Sequence, residues 1–195
     1  MENVNKKIVD RIQSSLKVKQ DMLSEPFLLT VIDDVIEEMV SAFKADKKIL
    51  FCGNGGSAAD AQHLAAELSG RFYSDREPLF AEALHVNTSY LTAVANDYSY
   101  EEVFSRMVKA QGRVGDILIG ISTSGNSKNV IKAIEVANKI GMITIGMTGE
   151  KGGKMKEICK YNIRIPSNDT PRIQETHILV GHIICELVES ALFEK

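Results

Sequence analysis

From residue 48 onward, short apolar runs alternate with stretches whose apolar positions recur at helical spacing. Ile49–Cys52, Leu79–Val86, Asp116–Ile121, Met142–Met147 and Tyr161–Ile165 are nearly unbroken apolar runs, the pattern of strands buried on both faces. Between and after them the spacing predicts helices over 58–68, 89–96, 100–111, 127–140, 154–158 and 171–193. Ser99 and Glu102 have the spacing of a capping box for the third of these. Strand and helix in strict alternation predict a parallel sheet, and such sheets gather ligands at the C-terminal ends of their strands.

Two helices precede this unit. The first, over residues 2–23, carries Val4, Ile8, Ile12, Leu16 and Met22 near helical spacing. Ser24-Glu25-Pro26 ends it, because proline suits a helix start and not its interior. The second has a broad stripe, Leu28, Val31, Ile32, Val35, Ile36, Met39, Val40 and Phe43. This hairpin is expected either to cover its own sheet or to form a subunit interface. The final helix follows an Asn168-Asp169-Thr170 cap and carries Ile173, Val180, Ile183, Ile184, Leu187, Val188 and Leu192.

The 195 residues are 44% hydrophobic and 25% charged, enough for one sizeable core, so residues 1–195 read as one domain, with helices over 1–45 and an α/β core over 46–195. Lys and Arg number 23 against 26 Asp and Glu, without a basic cluster, which argues against a nucleic acid partner. No apolar run reads as long enough for a membrane span, and the N-terminus lacks a signal-peptide core, so a cytoplasmic location is expected. Three isolated cysteines, Cys52, Cys159 and Cys185, fit a reducing compartment and form no metal motif.

Three strand ends open into Gly/Ser/Thr turns: Gly53–Ser57, Ser122–Ser127 and Thr148–Gly153. The middle one offers four hydroxyls ahead of a helix N-terminus, the arrangement a phosphate monoester needs. No Gly-Lys-Ser/Thr follows and the first turn lacks GxGxxG, so a nucleotide cofactor is not expected. Asp60, His63 and Glu67 share one helix face, and a His/Glu pair can bind a divalent ion or divide acid and base work. His182 lies within the apolar run Val180–Ile184, where a core histidine is the leading expectation and a site residue the alternative; His177 has the same ambiguity. Asn96-Asp97 ends a helix and reads as a cap or as a hydrogen-bonding pair for a sugar hydroxyl.

The segments Gly53-Asn54-Gly55-Gly56-Ser57-Ala58-Ala59-Asp60-Ala61-Gln62-His63, Ala95-Asn96-Asp97, Gly120–Ser127 and Arg172-Ile173-Gln174-Glu175 resemble the phosphoheptose isomerases. These are sugar isomerase (SIS) domain enzymes converting sedoheptulose 7-phosphate to D-glycero-D-manno-heptose 7-phosphate, the first step toward ADP-heptose for lipopolysaccharide core. The resemblance implies a three-layer, flavodoxin-like five-stranded parallel sheet flanked by helices, and a homotetramer with active sites between subunits. It implies that Ser122, Thr123, Ser124 and Ser127 hold the phosphate. Asn54, Gly55, Gly56, Ser57, Glu67, Asn96, Asp97 and Gln174 would contact the rest of the substrate. Glu67 matches the catalytic base and His182 the second acid/base residue; His63, Glu67, Gln174 and His182 match zinc ligands. On one helix, Gln174 and His182 would stand about 12 Å apart along the axis, so a shared ion asks one to reach forward and the other to lean back. Pro171 stands where some members carry an aspartate. A noncatalytic relative that binds the replication initiator, or a sugar-phosphate-sensing module, is the competing expectation.

Overall fold

The computed structural model describes residues 4–193. In chain order the elements are α1 (Val4–Leu23), α2 (Pro26–Lys44), β1 (Ile49–Gly53), α3 (Gly56–Ser69), β2 (Ala81–Ala83), α4 (Thr88–Asp97), a 3-10 turn (Tyr100–Glu102), α5 (Val103–Gln111), β3 (Ile117–Ile121), α6 (Lys128–Ile140), β4 (Ile143–Gly149), α7 (Met155–Ile158), β5 (Tyr161–Ile165) and α8 (Thr170–Phe193). All five strands pair in parallel, in the order β2-β1-β3-β4-β5. This is the flavodoxin-like order, whose switch point falls between β1 and β3. There Gly53 pairs in register with Ile121, so the Gly53–Ser57 and Ser122–Ser127 turns leave the sheet side by side.

Strand periodicity divides the core into two layers. Ile49, Phe51, Ile117, Ile119 and Ile145 face α2, α3 and α8, while Leu50, Cys52 and Leu118 face α4, α5 and α6. The N-terminal hairpin does two different things. α2 buries Val31, Ile32, Val35, Ile36 and Met39 in the first layer. α1 buries only Val18 and Met22 and leaves Ile8, Ile12 and Leu16 53%, 56% and 52% exposed. The first two residues of the helix expected over 2–23 lie outside the described residues.

Several boundaries differ from expectation for physical reasons. β2 has three residues where eight were expected, because the Leu79 amide donates to the Leu68 carbonyl at the end of α3 and Val86 already turns back to Ala83. The Ser99/Glu102 capping box does not form. Ser99 makes no side-chain cap, and the Glu102 carboxylate that would reach back to it is taken by Ser105 Oγ and Lys132 Nζ, each at 2.7 Å. The first turn of that segment is accordingly a 3-10 turn. α8 corrects a third expectation, being long and apolar enough in composition to cross a membrane. Ile173, Val180, Ile184 and Val188 are instead buried in the core, and Gly181 admits the Leu64 side chain of α3 against its backbone.

His177 is the core histidine of this helix. It is fully buried and its Nε2–H donates to the Thr148 carbonyl at 3.2 Å, while Nδ1 has no partner. Burial pushes its pKa down to about 4, against a smaller opposing pull from the Thr148 bond. A base held neutral in the fold contributes stability that is fully present above its unfolded pKa of about 6.5 and is lost as pH falls toward 4. The full effect is about 3 kcal/mol. Urea midpoints measured from pH 7 to pH 4 should fall accordingly, and His177→Leu should flatten that slope; an unchanged slope would contradict the assignment.

Candidate active site

The chemistry collects in two places. The first is the pair of turns at the β1/β3 switch point. Gly55, with φ +55°, caps α3 in a backbone conformation that side chains disfavour. Gly56 is needed for a different reason, because a Cβ there would sit 2.6 Å from the Gln174 amide nitrogen. Gln174 is thereby placed on the first turn of α3. Asn54 is locked by a reciprocal amide pair with the buried Asn129, both bonds 2.9 Å, and its Oδ1 also lies 3.2 Å from the Tyr100 hydroxyl. Ser57, also buried, starts the helix with its amide on the Asn54 carbonyl.

Across from it, Ser122 Oγ lies 2.8 Å from Ser127 Oγ and 3.4 Å from Ser124 Oγ. Thr123 completes the hydroxyl-rich loop, half-buried, its carbonyl accepting from the Gly149 amide. Ser127 precedes the thirteen-residue α6 without capping it, so its hydroxyl turns toward Ser122 instead. Hydroxyls gathered ahead of a helix N-terminus provide donors and a favourable dipole for an anion. The third glycine turn, Thr148–Gly153, packs beside this loop. It props this one: the Lys154 amide donates to Asn126 Oδ1 and the Met155 amide to the Gly125 carbonyl. An open cleft of about 280 Å³ lies alongside, lined by Asn54, Tyr100, Glu101, Ser127, Lys128 and Asn129. Asn96 and Asp97, at the exposed end of α4, hydrogen-bond to each other at 2.9 Å.

The second place is the seam between α3 and α8. His63 Nε2 lies 2.9 Å from Glu67 Oε1 and 3.4 Å from His182 Nε2, and the three ligand atoms fall within 4.8 Å of one another. One imidazole nitrogen has either a proton or a lone pair. His63 Nε2 can therefore satisfy Glu67 or His182, and not both. A cation between the three would resolve that over-commitment, and two imidazoles with one carboxylate suit a borderline-soft divalent ion. His182 is half-buried and not a core residue; its ring meets His63 edge-on at 4.9 Å and Phe72 at 5.7 Å. Asp60, one turn before His63, keeps a buried, unpaired Oδ2; burial lifts its carboxyl above the ordinary aspartate range, and His63 partly offsets this.

Gln174 rests near Gly56, seven residues before His63, away from this trio in sequence along the seam. Glu67 is eleven residues beyond Gly56, roughly 16 Å down the helix axis. Within one chain the His/Glu group is thus set back from the turn that begins α3.

Sequence inspection missed Asn129, Phe72, and the Arg76–Glu189 ion pair. Asn129 and Glu189 left a signal, each being a polar residue at an inward position of an apolar helix stripe. Phe72 and Arg76 lie in an irregular segment with no periodicity to interrupt.

Residues 18–149 match the SIS domain family. The phosphoheptose isomerase of Aneurinibacillus thermoaerophilus is 53% identical over 98% of this chain and 97% of its own length. Phosphoheptose isomerase 2 of Campylobacter jejuni is 52% identical over 100% of this chain and 97% of its own. The solved structure of a phosphoheptose isomerase from Neisseria gonorrhoeae superposes with a TM-score of 0.90 at 43% identity, covering 96% of this chain and 100% of that one.

Proposed function

The chain belongs to the SIS domain family and, within it, to the phosphoheptose isomerases, and from that premise we propose that it interconverts sedoheptulose 7-phosphate and D-glycero-D-manno-heptose 7-phosphate. The observation that carries this reading is the pairing of a hydroxyl loop ahead of α6 with a His/Glu/His group on α3 and α8. Ser122, Thr123, Ser124 and Ser127 bind the phosphate. Asn54, its amide fixed by Asn129, lies along the sugar with Gly55, Gly56, Ser57 and Gln174, while Asn96 and Asp97 offer hydrogen bonds to its hydroxyls.

Conversion of the ketose moves a proton from C1 to C2 through a cis-enediol. Glu67 takes the C1 proton and returns one to C2, and His182 relays protons between the two oxygens. His63, Glu67 and His182 would hold a zinc ion, which when bound supplies Lewis-acid polarisation of the carbonyl. Gln174 joins that set only after leaving its seat against Gly56. The product would feed ADP-heptose synthesis in the cytoplasm.

The protein acts as a homotetramer with shared sites. The setback of Glu67 from the phosphate turns supports this, as do the exposed Ile8, Ile12 and Leu16 stripe and an apolar groove of about 370 Å³ lined by Met22, Leu23, Leu29, Ile32, Ile183 and Leu187. Subunit mixing tests it. Glu67→Gln and Ser122→Asp proteins, each inactive alone, should recover aldose formation from sedoheptulose 7-phosphate when unfolded and reassembled together. No recovery from mixtures whose mass by light scattering is tetrameric would place each site within one subunit, and a monomeric wild type would remove the assembly altogether.

A further inference from the structure

Behind the His63/Glu67/His182 group lies a buried ion pair that touches none of the three side chains with a charge, yet is tied to all of them. Arg76 and Glu189 expose 2% and 3% of their side chains, and Arg76 Nε donates to Glu189 Oε2 at 2.9 Å. Glu189 stands on α8, seven residues after His182 and so on the same face two turns on. Its carboxylate also accepts the amides of Phe72, Tyr73 and Ser74, at 3.2, 2.9 and 2.8 Å. Arg76 spends its other donors on the end of α3: Nη2 on the Glu67 carbonyl at 2.9 Å, and Nη1 on those of Leu68 and Gly70 at 2.8 and 3.1 Å, as well as on Glu77.

The contacts close a ring. The Glu67 backbone is held by Arg76, Arg76 by Glu189, and Glu189 holds Phe72, whose ring packs on His182. His182 meets His63, and His63 returns to the Glu67 carboxylate. A buried ion pair gives little net stability over apolar residues of the same volume, so stability alone is a weak reason for this one. A planar five-donor fork spanning four carbonyls and a carboxylate is, by contrast, a means of fixing geometry that lysine cannot reproduce. We infer that Arg76 and Glu189 are positioning residues, setting the separation of Glu67 on α3 from His182 on α8 that proton transfer and ion binding both require. The inference rests on the isomerase reading for its kinetic consequence, and on the geometry alone for its effect on the ligand group.

Arg76→Lys keeps the charge but loses the planar fork, and Glu189→Gln keeps the shape but turns an NH2 toward N–H donors, so each loosens the ring. Each should lower kcat per folded site by about 10- to 100-fold, with KM for sedoheptulose 7-phosphate within about twofold, and weaken zinc binding in chelator competition by about tenfold or more. A pair serving stability alone would lower the melting temperature and leave kcat per folded site and zinc affinity unchanged; that result overturns the inference. Phe72→Leu reads the same ring without disturbing the buried charges. It should shift the His182 ring resonances and reduce kcat severalfold, and unchanged resonances would overturn the inference even if the charge variants fail to fold. The zinc and resonance measurements use no sugar, so a wild type that fails to turn over sedoheptulose 7-phosphate would count against the isomerase reading and not against this one.

Discussion

Glu67→Gln is expected to lower kcat by about three orders of magnitude while leaving the fold and assembly intact, within the 100- to 10,000-fold span of a general base. The amide keeps the shape of the carboxylate and still offers an oxygen to His63, now 2.9 Å away, so α3 loses no packing. It loses the ability to hold a proton taken from carbon. Because Glu67 is also one of three converging ligand atoms, the same variant should bind zinc more weakly. Glu67→Asp separates the two effects. It keeps the charge on a shorter arm, and should retain more zinc affinity than Glu67→Gln while still turning over slowly. Residual turnover within tenfold of wild type in Glu67→Gln would remove this residue as the base.

Gly125→Ala should be the most damaging single methyl in the chain's ligand loops. Gly125 has φ +65°, a left-handed conformation costing an alanine about 1–2 kcal/mol. The added Cβ would also stand 2.0 Å from the Gly152 carbonyl oxygen and 2.9 Å from the Gly153 amide, backbone that cannot swing aside. Overpacking of this kind costs about 1–3 kcal/mol more. The two loops are also stitched together by the Met155 amide on the Gly125 carbonyl, so the strain falls on the hydroxyl loop itself. A loss of about 3 kcal/mol in urea unfolding is expected, with KM for the phosphorylated substrate raised at least tenfold. A loss under 1 kcal/mol with unchanged KM would mean the third turn does not brace the second.

These two positions mark what the sequence makes legible. Apolar runs at Ile49–Cys52 and Asp116–Ile121 declare strands buried on both faces, because every residue in them meets a helix layer. The helix behind the first glycine turn is equally plain, and His63 and Glu67 on it follow from spacing alone. His182 does not. Its sequence neighbours Val180 and Ile184 are core, but it lies off the buried stripe of His177, Val180, Gly181, Ile184 and Val188, and its ring meets His63 across the seam. His177, with the same local surroundings, is the residue that stays inside. The third glycine turn resembles the second in composition yet braces it, since a loop's role depends on which neighbour it meets. Ser99 and Glu102 fail as a cap for a related reason: Lys132, thirty residues on, offers a charge that a local amide cannot match.

The proposed isomerisation turns on proton transfer at carbon. In deuterated water, wild-type protein given sedoheptulose 7-phosphate should produce an aldose heptose 7-phosphate carrying deuterium at C2, seen by NMR as loss of the C2 proton signal, with Glu67→Gln silent in the same assay. Absence of aldose and of any deuterium at C1 of the ketose or C2 of the product, from a folded tetramer supplied with zinc, would contradict it.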